Sequence, residues 1–144
     1  LWTLPVTLGV NMIALLVAAV IAVAPVQVST QTIGYAESSY QGKWYHPKWE
    51  KVRKCIMYHE SRFNYKAKNK TSSARGAYQF LDSQWREGLV WMMLDEGGNI
   101  KEIKSLRNKP IHKWNRYYQD RSFFTAWRHG AGKKHWSLQA HRCY

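Results

Sequence analysis

Apolar and polar positions divide the chain into three stretches of different character. From Leu4 to Val28 the sequence is almost wholly apolar, including the run Met12 to Ala24, and as a helix it is long enough to cross a bilayer. Residues 1–28 therefore read as a signal peptide or a membrane anchor. Ala22-Val23-Ala24 resembles a cleavage site, although Pro25 directly after it is awkward for a peptidase and no basic region precedes the apolar run. Residues 29–43 are rich in Ser, Thr, Gln and Gly, with polar side chains where an amphipathic helix needs apolar ones, and they read as a linker. One domain is expected over residues 44–144.

Within that domain the spacing of Trp49, Val52, Ile56 and Tyr58 predicts a helix that starts just after Pro47 and runs to about Ser61, which puts Glu60 at its C-terminal end. Asn64 and the stretch Asn69 to Ser73 have turn chemistry, and Gly76 tolerates backbone angles closed to other residues, so a short hairpin or irregular loop is expected next. Trp85, Leu89, Met92 and Met93 share one helical face; a second helix is predicted from Asp82 or Ser83 as N-cap to Leu94, ended by Gly97-Gly98. The basic, weakly patterned stretch Ile100 to Asn115, interrupted by Pro110, reads as a loop with a short helix. A last helix is predicted from Gln119-Asp120, with Asp120 as its N-cap, and it turns Phe123, Phe124 and Trp127 inward before Gly130 and Gly132 stop it. Trp136, Leu138 and Cys143 close the chain. The expected class is mainly α: a small helical domain with a hairpin or irregular loop, preceded by an apolar N-terminal helix.

Charge sharpens this picture. The net charge of +13 belongs wholly to the C-terminal part, because no charged residue precedes Glu37 and all 22 Lys and Arg lie from Lys43 onward. Such a field attracts polyanions, among them nucleic acid, anionic lipid and the anionic polymers of bacterial walls. No zinc-finger, helix-turn-helix or RNA-binding-sheet signature accompanies it, and the apolar leader points out of the cytoplasm, so nucleic acid is the weakest of the three. Cys55 and Cys143 are the only thiols; in an exported domain they form one bridge closing a loop of about ninety residues. The six His are scattered without zinc spacing, so no metal and no cofactor is expected.

Glu60 is the only acidic residue between Glu50 and Asp82, set among Lys51, Arg53, Lys54, Arg62, Lys66, Lys68, Lys70 and Arg75. The cations lower its pKa and burial against Tyr58, Phe63 or Phe80 raises it; the sequence leaves open which effect prevails.

Glu60-Ser61 with Asn64, then Gly76-Ala77-Tyr78-Gln79-Phe80 and Trp85, resembles the Glu-Ser-x-x-Asn and Gly-Gly-Leu-Gln-Phe motifs, with the Trp that follows them, of the lysozyme-like superfamily. The likeness is to the small lytic-transglycosylase-like domains of resuscitation-promoting factors and of actinobacteriophage tail proteins. Gln119-Asp120, Phe124 and the stretch Trp136 to Cys143 extend it loosely to the C-terminus. The resemblance implies an α+β lysozyme-like fold with the loop beside a cleft. It also implies cleavage of peptidoglycan glycan strands between MurNAc and GlcNAc by Glu60 as general acid and base, by transglycosylation. Ser61, Ser73, Gly76, Tyr78, Gln79, Trp85 and Gln119 are the implied substrate-binding residues. Tyr78 as plain core, Asn64 as a turn residue, and Trp85, Trp127 and Trp136 as core packing stand as alternatives. The chain departs from that pattern in the position of Cys55, about one helical turn before the place where resuscitation-promoting factors have it. It also has a longer segment over residues 95–118, and Leu81 where Thr is common.

A two-carboxylate lysozyme, with Asp82, Asp95, Glu96 or Asp120 as the second acid, and a non-catalytic cationic wall-binding or membrane-active protein are the competing readings. The expected location is outside the cytoplasm, on the wall side of a membrane or on a virion.

Overall fold

The computed structural model describes residues 36–137 and 142–144. The apolar segment expected over 1–28 lies outside the described residues, as do Leu138 and His141. Among the described residues no helix is long and apolar enough to cross a membrane.

The protein is mainly helical. Pro47–Trp49 form a single 3-10 turn that leads into α1, Glu50–Ser61. Strands β1, Ala74–Arg75, and β2, Phe80–Leu81, form a two-stranded antiparallel sheet, followed by α2, Asp82–Glu96, and the short α3, Ile100–Ser105. Two further 3-10 turns, Leu106–Asn108 and Ile111–Lys113, precede α4, Arg116–Trp127. The first two helices follow the predicted spans, and the expected loop is a true hairpin. Ala74 pairs with Leu81 and Arg75 with Phe80, while Lys68 bridges to the outer side of Arg75.

Helix α4 is the centre of the core. Every residue from Tyr118 to Trp127 is buried, so the helix is covered on all sides and shows no amphipathic stripe. Ile56 and Met57 of α1, Leu89 and Met93 of α2, Ile103 of α3 and Tyr78 of the hairpin close round Phe123, Phe124 and Trp127. Trp136 packs on Phe80 and Phe123, with ring centroids 5.3 and 5.1 Å apart. The bridge Cys55–Cys143 joins α1 to the C-terminal residues.

Three expectations are corrected. The N-cap of α4 is Asn115, whose side chain accepts the Tyr118 amide at 3.0 Å; Asp120 lies one turn inside the helix and is fully buried. Asp82 does not cap α2 either. It sits in the first turn, and its carboxylate accepts the Ile111 amide at 2.7 Å, pinning the segment before α4 to the start of α2. Residues 36–42, expected to be linker, are part of the domain: Tyr40 is buried against Phe124, and the Ser38 amide donates to Glu50.

Candidate active site

The helical repeat places Arg53, Ile56, Met57 and Glu60 on one side of α1, since seven residues are close to two full turns. The first three are buried. Glu60 continues their stripe to the point where the helix leaves the core, and there it is half-buried. The helix ends one residue later because Arg62 and Phe63 both take left-handed angles, with φ of 54° and 63°, an uncommon pair for side-chain-bearing residues. The Arg62 amide closes on the Tyr58 carbonyl at 3.0 Å. Ser61 completes the stop, donating to the Met57 carbonyl and accepting the Asn64 amide.

Burial alone pushes the Glu60 carboxyl above its ordinary value. The neighbouring cations, which in sequence looked able to oppose this, are turned elsewhere. Lys51 and Lys54 project from the opposite side of α1. Arg53 is locked between Glu50, at 2.8 Å, and Asp120, at 3.3 Å. Arg62 lies over the Tyr58 ring, 4.2 Å from its centre.

The remaining acidic side chains fall into two groups. Glu50, Asp120 and Glu96 are paired with Arg53 or Arg121, Asp82 with the Ile111 amide and Arg86, Glu87 with Arg107, and Glu102 with the Tyr118 hydroxyl. Glu37 and Asp95 are exposed. Glu60 is thus the one partly buried carboxyl that makes no hydrogen bond or ion pair among the described residues.

The residues expected to bind substrate divide sharply. Tyr78 does not face a groove: its ring is buried, and its hydroxyl donates to Asp120 at 2.5 Å and accepts from Arg53 at 2.9 Å. Gln119 is equally internal; its Oε1 accepts the Ala77 amide, and its Nε2 donates to the Tyr65 and Trp114 carbonyls. Gly76 lies against that same Gln119, and a Cβ there would come within 2.5 Å of Oε1. Ser73 ties β1 to α2, its hydroxyl 2.9 Å from that of Ser83 and its carbonyl accepting the Asp82 amide. Asn64 holds its turn by accepting the Lys66 amide.

Gln79 and Trp85 keep open surface. Gln79 takes left-handed angles at the hairpin tip and donates through Nε2 to the Gly76 carbonyl, leaving its amide oxygen without a partner among the described residues. Trp85 packs edge-on to His135 and lines a groove of about 300 Å³ with Met92, Arg128 and Lys134, a groove that Glu60 does not line. Cys55, His59 and Cys143 place their ligand atoms within 4.8 Å of one another, but both sulfurs are committed to the bridge and offer no thiolate to a metal.

Sequence reasoning missed the buried network that anchors the first turn of α1, at the end away from Glu60. Asp120 accepts from the Tyr65 and Tyr78 hydroxyls and pairs with Arg53, which is itself held by Glu50. One signal was available: a charged residue at position 53, on the same face as Ile56 and Met57, needs buried partners. No family model, no curated protein and no solved structure matches this chain.

Proposed function

We propose that this protein cleaves the glycan strand of bacterial peptidoglycan between MurNAc and GlcNAc, with Glu60 as the single acid and base, by lytic transglycosylation. The observation that carries this reading is the lone half-buried carboxyl at the end of α1, raised in pKa by burial while the other acids are paired or exposed. An acid of that kind is protonated at the start of the reaction and ionised at the end. Glu60 gives its proton to the glycosidic oxygen as the bond from that oxygen to C1 breaks. The carboxylate then takes the proton of the sugar's own C6 hydroxyl as O6 bonds to C1. No water is consumed, and the product carries a 1,6-anhydro ring. A hydrolytic route needs a second free carboxylate near the first. Asp82, Glu96 and Asp120 are engaged inside the domain, and Asp95 sits exposed near the far end of α2.

The hairpin supports the same reading in a reduced form. Gln79, with its free amide oxygen at the tip, is the member of the Gly-Ala-Tyr-Gln-Phe motif that is left to meet a sugar hydroxyl or acetamide. The disulfide fits a workplace outside the cytoplasm, on the wall side of a membrane or on a virion, where thiols oxidise.

The test is digestion of purified peptidoglycan with mass spectrometry of the released muropeptides. We expect products lighter by one water than the hydrolytic ones, and Glu60→Gln should lower their rate by a factor on the order of 10² to 10⁴. Reducing ends would establish hydrolysis. No released muropeptide at all, from protein that still binds walls, would establish a non-catalytic cationic module.

A further inference from the structure

A groove of about 500 Å³ runs along the side of α1 opposite Glu60. Tyr58, Phe63 and the Cys55 sulfur form its apolar floor and wall, and Lys51 and Lys54 stand on its rim. Among the described residues no acidic side chain lines it. Lys51, Lys54 and Tyr58 fall at offsets of 3 and 4 residues, so they form one stripe along the helix, spanning about 10 Å at 1.5 Å per residue. Tyr58 is the exposed aromatic of that stripe, 45% accessible, and Arg62 stacks on its ring. The bridge to Cys143 brings the backbone carbonyl of Arg142 to 3.9 Å from the Cys55 sulfur, beside the wall of the groove.

From this arrangement we infer that the groove is a binding site for a phosphodiester-linked polyol chain of the cell wall, separate from the Glu60 site. Its cations are spaced along a line, which matches a linear chain carrying a negative charge at each repeat. Its floor is aromatic and apolar, which suits the C–H faces of polyol or sugar units between those charges. The trough is concave, whereas a lipid surface is met by a raised apolar patch. The disulfide in its wall persists in oxidising surroundings, where a wall polymer rather than nucleic acid is the abundant polyanion. Occupying the far side of α1 would hold the domain on the wall without obstructing Glu60.

Binding of the full chain to a poly(glycerol phosphate) of defined length, followed by fluorescence anisotropy at about 0.15 M salt, tests this. Carrying the measurement out on Glu60→Gln protein keeps it independent of the glycan-cleavage reading. Lys51→Gln with Lys54→Gln should weaken binding about ten-fold, the sum of two exposed charge contacts. Lys101→Gln with Lys104→Gln on α3 removes the same charge elsewhere and should weaken it less than about three-fold. Tyr58→Ala changes no charge and should cost roughly three- to ten-fold through the lost ring. Tyr58→Leu, which keeps the apolar packing on Phe63, should lose as much and guards against an effect of misfolding. Equal losses from the two lysine pairs would reduce the groove to net charge and overturn the proposal. So would stronger dependence on these residues for phosphatidylglycerol vesicles or a single-stranded oligonucleotide.

Discussion

Glu60 and Asp120 are two carboxylates treated in opposite ways by one fold. Asp120 is fully buried but accepts from two tyrosine hydroxyls and pairs with Arg53, so its charge is answered inside the protein. Glu60 is less buried yet unanswered, and its carboxyl is held above the ordinary value of 4.5 by the loss of water alone. The consequence for stability has a definite sign. Below the unfolded pKa both states carry the proton and Glu60 costs nothing. As pH rises past it the unfolded chain ionises first, and the folded state is penalised increasingly until its own raised pKa is passed. Glu60→Gln removes that titration. The stability of the variant relative to the parent should therefore grow between pH 4 and pH 7, measured by urea denaturation at a series of pH values. A difference that stays flat over that range would mean that the carboxyl is fully hydrated and unfit to hold a proton for catalysis.

The hairpin depends on α4 for its position, through two residues that share one space. Gly76 has a φ of +78°, and Gln119 fills the volume where its Cβ would be, placing Oε1 on the Ala77 amide. Gly76→Ala should destabilise the protein by about 2 to 4 kcal/mol, combining backbone strain with the displaced hydrogen bond. Adding Gln119→Ala relieves the clash, so the double variant should lose less than the two single losses added together, as read from urea denaturation. Strict additivity would place the cost of Gly76→Ala in the backbone alone. This coupling also explains what could be read from the sequence. Helix α1 was legible because an exposed face gives its apolar residues a period, and α2 because its long apolar run is stopped by Gly97-Gly98. The start of α4 was misplaced because a helix buried on every side has no such period, and Asp120 looks like a cap when its partners are unknown. Tyr78 and Gln119 matched a sugar-binding motif by type. Their polar atoms turn inward because Arg53, Asp120, Tyr65 and Ala77 await them, up to 54 positions away along the chain, a separation that no local pattern reports.

For the molecule as a whole, the interior consumes acids and leaves bases outside. Glu50, Glu96 and Asp120 are spent on Arg53 and Arg121, so the nine acidic residues offset the 22 cations even less at the surface than the net charge of +13 suggests. A small domain with that much self-repulsion and one modest core gains from a covalent tie. Cys55 and Cys143 lie 88 residues apart, and closing a loop of that length removes unfolded-state entropy worth about 4 to 5 kcal/mol in the chain-entropy model. That is a large share of the roughly 5 to 15 kcal/mol by which domains are stable. The folded end of the chain has a second anchor, since Trp136 is buried and its Nε1 donates to the Tyr78 carbonyl at 3.0 Å. Cutting the bridge should therefore leave the native arrangement around Trp136 intact and act chiefly on the unfolded ensemble. Cys55→Ala with Cys143→Ala is expected to keep the near-ultraviolet circular dichroism of the packed tryptophans while losing about 2 to 5 kcal/mol in urea denaturation. A loss below about 1 kcal/mol would show that the tail is held by its aromatic packing and that the bridge adds little to the fold.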